Sequence, residues 1–390
     1  MNINRNHNSE YIFGLDILRA IAILFVLFGH TFQHSILPLW LSRFGTFGSI
    51  GVEIFFILSG FLIGGIILKL FEKNKFHSYN DITDFWKRRW MRTLPMYIIA
   101  LLAFLRFDYN GAHYLTYHPE YWLFLQNFAW SIPDDFFILS WSLAIEEHFY
   151  LWFPIVFFIM VKFFSRRVSF GITALFFLII SISYRISLPE MTFNDWNLNS
   201  RMVVIARFDA IMFGVLMAYI KSYHTVIWER IYQLRFIVGI VTLLIFIWYY
   251  LGAVGITTRF VQVFGVTIQG ALLSMLLPFF TNIKLEPKTL LQKAILFTSR
   301  FSYSLYLVHI LVIIFVNQFL FKYGLYDFIC PKAYYLYPLY FLIYYLVAFF
   351  TYNLIEKPFL DFRDQKINRS NFWRIVPFIL FVGILVFYIG

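Results

Sequence analysis

Arg19 and His30 are eleven residues apart in the run LDILRAIAILFVLFGH (Leu15 to His30), which is apolar apart from them and Asp16. Eleven residues make close to three helical turns, so both side chains project from one face, about 16 Å apart along the axis. Histidine titrates near neutral pH and suits the work of a general base there. A lone histidine in a helix is more often a hydrogen-bonded packing residue, and the arginine aligned with it tips the reading toward function. Asp16, one turn before Arg19, can pair with it at i, i+3. A second constellation lies in FWKRRWMRTLPMY (Phe85 to Tyr97), where Arg88, Arg89 and Arg92 are expected at a helix mouth, with Arg88 and Arg92 on one face. Guanidinium groups grip phosphate bidentately, and a helix N-terminus itself attracts anions. The plain alternative is an ordinary basic flank.

Two further stretches add acid–base side chains. SWSLAIEEHFYLWFP (Ser140 to Pro154) carries Glu146, Glu147 and His148; adjacent carboxylates diverge on a helix, so at most one is expected to face a cavity that holds His30. SRFSYSLYLVHILVI (Ser299 to Ile313) carries Tyr303, Tyr306 and His309, the last two one turn apart, a pair that could equally be a packed core contact. Glu53, Arg207 and Asp209 are also ionisable in apolar surroundings. Arg207 and Asp209 are two apart, do not face each other on a regular helix, and read as structural.

The elements that position these residues must be membrane helices. Of the 390 residues, 61% are hydrophobic and 14% charged, and mean hydropathy is +0.71. Soluble domains carry about 25% charged residues, so this chain cannot coat a water-facing surface with polar side chains. An aromatic share of 23% suits lipid-facing surfaces and interfacial belts. Apolar segments fall near 14–36, 48–70, 91–106, 143–163, 168–188, 202–220, 236–252, 260–282, 301–321, 335–354 and 373–389, which predicts an all-α, polytopic bundle of about eleven transmembrane helices. The polar start MNINRNHNSE followed by a run containing Arg19 and His30 reads as a retained first helix, not a signal peptide.

With the N-terminus placed inside, 23 lysines and arginines fall in inside segments and seven outside, among the latter Arg185 and Arg201. This is a positive-inside pattern, and it predicts a cytoplasmic N-terminus. The net charge of +11 is then a topological signal facing anionic lipid, and nucleic acid is not an expected partner. The single cysteine, Cys330, excludes an internal disulfide and a cysteine-based metal cluster. The longest outside loop, about 107–139, is acidic and aromatic, with Asp108, Glu120, Tyr121, Trp122, Trp130, Asp134 and Asp135. Its rings could stack on sugars, but interfacial anchoring is the commoner use. In IEKPFLDFR (Ile355 to Arg363), Pro358 is expected to stop the tenth helix, with Glu356, Lys357 and Arg363 marking the cytoplasmic surface.

Taken together, Leu15 to His30, GVEIFFILSGFLI (Gly51 to Ile63), RRWMRTLPMY (Arg88 to Tyr97), Ser140 to Pro154, SYSLYLVH (Ser302 to His309) and IEKPF (Ile355 to Phe359) resemble acyltransferase family 3. These are bacterial membrane proteins that acylate surface glycans and some small molecules. The resemblance implies a ten-helix core, here residues 1–363, followed by a joint and one extra helix over 364–390. It implies a multi-pass protein of the bacterial cytoplasmic membrane. The donor would be cytoplasmic acyl-CoA, usually acetyl-CoA, acting as co-substrate, with no permanently bound cofactor and no metal. The acceptor would be a hydroxyl of a periplasmic or outer-leaflet carbohydrate or glycolipid, such as lipopolysaccharide O-antigen.

The family's Arg–ten residues–His element falls on Arg19 and His30, and its arginine cluster on Arg88, Arg89 and Arg92. His30 is then the general base, or less readily an acyl carrier, assisted by Glu147 or Glu146. Arg19, Arg88, Arg89 and Arg92 would bind the donor, with Asp16, Ser142, Tyr150, Tyr303 and His309 in support. Three positions depart from the pattern: Glu53 replaces an Asp, His148 stands where Gln is usual, and Ser35 stands where an acidic residue often follows the histidine. Many members carry a C-terminal esterase-like domain. With nothing after Gly390, transfer is expected to be completed in the membrane domain or by a separate periplasmic partner. His30 lies about 22 Å from the inner edge by helix rise, comparable to a pantetheine arm. The reading from another class is a transporter or translocator of a lipid-linked glycan, in which intramembrane Arg, His and Glu line a substrate path. Inverted repeats or paired broken helices would favour it, and the sequence shows neither.

Overall fold

The computed structural model describes residues 11–33, 45, 47–72, 79–107, 119–133, 136–246, 258–325 and 336–365. Among them all regular structure is helical, the form in which a segment satisfies its own backbone without water. The main helices are α1 (Phe13–Gln33), α2 (Phe47–Glu72), α3 (Tyr79–Phe107), α4 (Ser140–Met160), α5 (Arg166–Ser187), α6 (Phe208–Tyr223), α7 (Arg259–Ser274), α8 (Leu290–Lys322) and α9 (Leu336–Thr351). Among the described residues eight helices are long and apolar enough to cross a membrane, or nine if the pair Phe193–Arg201 and Ile205–Tyr223, bent by 97°, is one broken span. The expected segment at 236–252 is described only as a short apolar helix from Arg235. The helix expected at 373–389 lies outside the described residues, as do Ser35, Asp108, Asp134, Asp135 and Cys330.

Two helices begin well before their apolar segments. α3 starts at Tyr79, and α8 at Leu290, behind a capping box in which Thr289 and Gln292 each bond the other's backbone N–H. Hydropathy marks the length that lipid requires, whereas caps decide where a helix begins. Arg88, Arg89 and Arg92 therefore sit inside α3, more than two turns from its N-terminus, and that terminus cannot be the anion site expected for them. Pro358 also fails to stop its helix. A π turn at Tyr352–Glu356 precedes it, and Lys357–Arg363 continues the same apolar span. The widened turn comes where the proline removes an N–H and crowds the carbonyl four residues back.

The centre of the bundle is made by close backbone contact. α1 runs antiparallel to α2, with Gly29 against Gly48, while α2 runs parallel to α6. A Cβ on Gly60 would lie 1.9 Å from the Ile211 carbonyl oxygen, and one on Gly214 would lie 2.1 Å from that of Ile57. Small residues at such crossings let helices associate where lipid removes the hydrophobic drive.

A buried ionic cluster pins the same helices. Arg207 meets Glu53 at 2.5 Å and Asp209 at 3.6 Å, and Arg185 meets Asp209 at 2.8 Å, all with side chains at most 1% exposed. Arg207 and Asp209 thus do approach each other, because Arg207 ends a 3₁₀ turn at Ile205–Arg207 just before α6, so regular helical spacing does not apply. Arg185 and Arg201 are also not exposed loop cations. Arg185 donates to the carbonyls of Val263 and Ala206, and Arg201 lies buried with its guanidinium 5.0 Å from the Trp141 ring.

Candidate functional site

α1 and α8 lie side by side in parallel, and their contacts form two polar levels. At the lower level, Arg19 Nη1 donates to Asp16 Oδ1 at 3.3 Å and to Ser299 Oγ at 3.2 Å, while Ser299 donates to the same Asp16 oxygen at 2.6 Å. At the upper level, His309 Nε2 lies 3.0 Å from His30 Nδ1, and the ring centroids are 5.0 Å apart. His309 is buried and His30 partly so. Around them Thr31 and Tyr344 share a hydrogen bond of 2.9 Å, and the Tyr344 and Tyr306 rings lie 6.3 and 6.0 Å from that of His309. His309 is therefore the direct partner of His30, not a separate packing contact.

A narrow cavity of about 90 Å³ occupies the space between α1, α2, α3, α4 and α8. Arg19, Arg89 and Arg92 give it positive charge, and Glu146 supplies the opposing carboxylate. Ser142 and Tyr306 also line it; their hydroxyls are 2.5 Å apart, and the Tyr306 ring leads on to His309. Tyr303 lines it too and is held by donating to the Thr93 carbonyl at 2.8 Å. A wider basin of about 790 Å³ lies beyond α3, where the arginines Arg88, Arg89 and Arg363 are interleaved with Asp81, Asp84 and Asp364. Arg89 lines both spaces.

The two glutamates diverge as helical geometry requires. Glu146 faces the narrow cavity, accepting from Ser59 at 3.0 Å and from Tyr150 at 2.8 Å. Glu147 is buried within electrostatic reach of Arg89, with one carboxylate oxygen unbonded. Neither holds His30, whose imidazole is met by His309. His148 turns away, with Nε2 3.0 Å from the Phe124 carbonyl oxygen.

Arg88 and Arg92, expected to act together, face different spaces; Arg89 and Arg92 share the narrow one. Glu356 is not at the surface: it is 4% exposed and accepts from Ser304 Oγ at 2.8 Å, within electrostatic reach of Arg92. Tyr121 is likewise a core residue, 1% exposed, whereas Trp122 and Trp130 are open. Ser59, Ser299 and Glu356 are the site residues that sequence reasoning missed. Two are single hydroxyls in apolar helices, and only Glu356 carried a signal, an acid beside a proline turn. Among the described residues no group of His, Cys, Asp and Glu converges as metal ligands.

Apolar helices folded around arginine-lined cavities and a histidine pair define a multi-pass membrane protein with an internal polar site. Residues 12–352 match acyltransferase family 3, described as "Acyltransferase domain", and the chain belongs to that family. A Staphylococcus aureus (strain COL) protein named "Putative O-acetyltransferase" is 28% identical over 395 residues, covering 94% of this chain and 59% of its own length. O-acetyltransferase OatA of S. aureus (strain MRSA252) is 27% identical over 409 residues, covering 97% of this chain and 63% of its own length. The chain thus spans about three fifths of the curated relatives it matches. No solved structure matches it.

Proposed function

We propose that this protein is an O-acyltransferase that moves an acyl group, acetyl in the first instance, from cytoplasmic acyl-CoA to a hydroxyl of an acceptor outside the membrane, a surface glycan or glycolipid. The end carrying Arg88, Arg89 and Arg363 is the cytoplasmic one, in keeping with the distribution of basic residues. The observation that carries the reading is the sharing of Arg89 between two spaces: a wide basin lined also by Arg88 and Arg363, and a narrow cavity lined also by Arg19, Arg92 and Tyr306, whose ring packs against His309. Within the basin the guanidinium groups of Arg88, Arg89 and Arg363 are the donors for the phosphates of a nucleotide, set among Asp81, Asp84 and Asp364, and the narrow cavity suits a thin flexible arm. The relatives' names supply the acetyl group as first choice.

In the reaction, the acceptor hydroxyl gives its proton to His30 Nε2 as its oxygen bonds to the thioester carbonyl carbon. Collapse of the tetrahedral intermediate breaks the C–S bond, and the proton on His30 passes to the departing thiolate, giving free CoA. Arg19, Arg89 and Arg92 hold the donor. Glu146 keeps Tyr150 and Ser59 fixed in the channel wall.

The test is purified protein in detergent or nanodiscs, supplied with acetyl-CoA and a soluble glycan acceptor, with free thiol and acetylated product measured together. His30→Ala is expected to express and fold normally and to lose product formation by about 10²- to 10⁴-fold, the range of general acid–base catalysis. Unchanged product formation by that variant would remove His30 from the mechanism.

A further inference from the structure

We infer that His309 is a positioning residue that sets the tautomer of His30 and so decides which of its nitrogens acts as the base. The inference rests on His30 being that base. It starts from a carbonyl that can only accept: His309 Nδ1 lies 3.1 Å from the Leu305 backbone oxygen, one turn earlier on α8. A carbonyl oxygen has two lone pairs and can serve both the helix ladder and a side chain. His309 Nδ1 must therefore carry a proton. In the neutral ring Nε2 is then unprotonated and acts as an acceptor. The atom 3.0 Å away, His30 Nδ1, must in turn be the donor. That leaves the lone pair of neutral His30 on Nε2, on the other side of its ring from His309. Turning either ring over would put carbon where these nitrogens sit and lose the hydrogen bonds, so the orientations are fixed by the bonds themselves.

The same chain of donors has a second consequence. When His30 Nε2 takes up a proton, Nδ1–H continues to donate to His309, so the imidazolium keeps its orientation and part of its charge is met by a lone pair. The rest of the setting holds the rings in place: Tyr306 is anchored to Ser142 and to the Leu139 carbonyl, and Tyr344 to Thr31. A carboxylate that orients a catalytic histidine normally comes from elsewhere in the chain. Here a second histidine tied to a backbone carbonyl meets Nδ1 of His30, as do the outer-shell partners that fix histidine tautomers at metal sites.

The experiment compares His309→Leu, which keeps apolar bulk but no acceptor, with His309→Gln, whose amide oxygen can accept from His30 Nδ1–H. Both are purified, checked for a monodisperse profile and melting temperature, and assayed beside His30→Ala. The expected result is a fall in kcat of about tenfold or more for His309→Leu with KM for acetyl-CoA little changed, and substantial recovery in His309→Gln. A packing residue would give the opposite order, since leucine suits a buried site better than glutamine. Independently of activity, ¹⁵N-histidine spectra of the protein in lipid, with His30 assigned by its absence in His30→Ala, should show His30 protonated at Nδ1 in the wild type, and this preference should be lost in His309→Leu. A wild-type signal protonated at Nε2, or full activity in both His309 variants while His30→Ala is inactive, would overturn the inference and leave the base assignment standing. Full activity in His30→Ala would instead remove the reading on which it rests.

Discussion

In the proposed donor site Arg89 is expected to carry the greatest weight among the arginines, since it alone of the α3 cluster lines both the basin and the narrow cavity. A charge-assisted, bidentate contact to phosphate contributes about 1.5–3 kcal/mol, roughly ten- to a hundredfold in affinity. Arg89→Ala is therefore expected to raise KM for acetyl-CoA by about that factor with a smaller change in kcat, and Arg89→Lys to recover only part of the loss. Arg88→Ala should have a weaker effect, because Arg88 reaches the basin alone. Isothermal titration with CoA checks the order, and equal affinities in all the variants would return the cluster to a topological role. The candidate acid–base residues stood out in the sequence by residue type and, for Arg19 and His30, by spacing on one helix. Their partners were not, because Ser299, His309 and Ser59 reach Asp16, His30 and Glu146 from other helices, and one sequence holds no measure of that proximity.

At the scale of helices, the site depends on how closely α1, α2 and α6 approach. Gly60→Val would drive a side chain into the Ile211 backbone, so the two helices must separate. The expected outcome is loss of monodisperse protein on detergent extraction, whereas Gly65→Val, at a position with nothing within 4 Å of a built Cβ, should extract normally. The ionic cluster makes a second demand. Removing one partner leaves a buried charge unpaired, which costs about 3–5 kcal/mol, whereas replacing a whole pair by apolar side chains can be near neutral. Arg207→Met should therefore lower the melting temperature sharply, and Glu53→Met combined with Arg207→Met should recover part of it. A double variant no more stable than Arg207→Met would argue that the Arg207–Asp209 contact dominates instead. The apolar periods foretold most of these helices. They did not foretell the early start of α3, the continuation through Pro358, or the bend before α6, each of which depends on caps and backbone accommodation that hydropathy does not report.

At the scale of the whole molecule, the proposed reaction takes its donor from one face of the membrane and its acceptor from the other. If donor and acceptor arrive from opposite faces, protein oriented in sealed vesicles should consume acetyl-CoA supplied on the side of the Arg88–Arg89 basin and none supplied opposite. Each acylated product should release one CoA on the donor side. Arg19→Ala should impair the reaction even with donor saturating, because Arg19 lines the narrow cavity and lies three helical turns before His30 on α1. Unmodified acceptor crossing the bilayer without CoA release would overturn the enzymatic reading in favour of a translocator.

Composition and apolar period, by themselves, determined that this chain is an all-helical bundle suited to a membrane, because too few polar side chains exist to solvate anything else. Residue type and spacing likewise determined that Arg19 and His30 share a face, since helical pitch is a property of the backbone and not of its surroundings. Which glutamate faces the channel, which arginines share it, and what holds His30 were decided only by tertiary structure. Those are relations between helices. They depend on glycine-thin crossings such as Gly60 on Ile211 and on the parallel register of α1 with α8, where a shift of one residue in either helix would turn the facing side chain by about 100° and separate the two histidines.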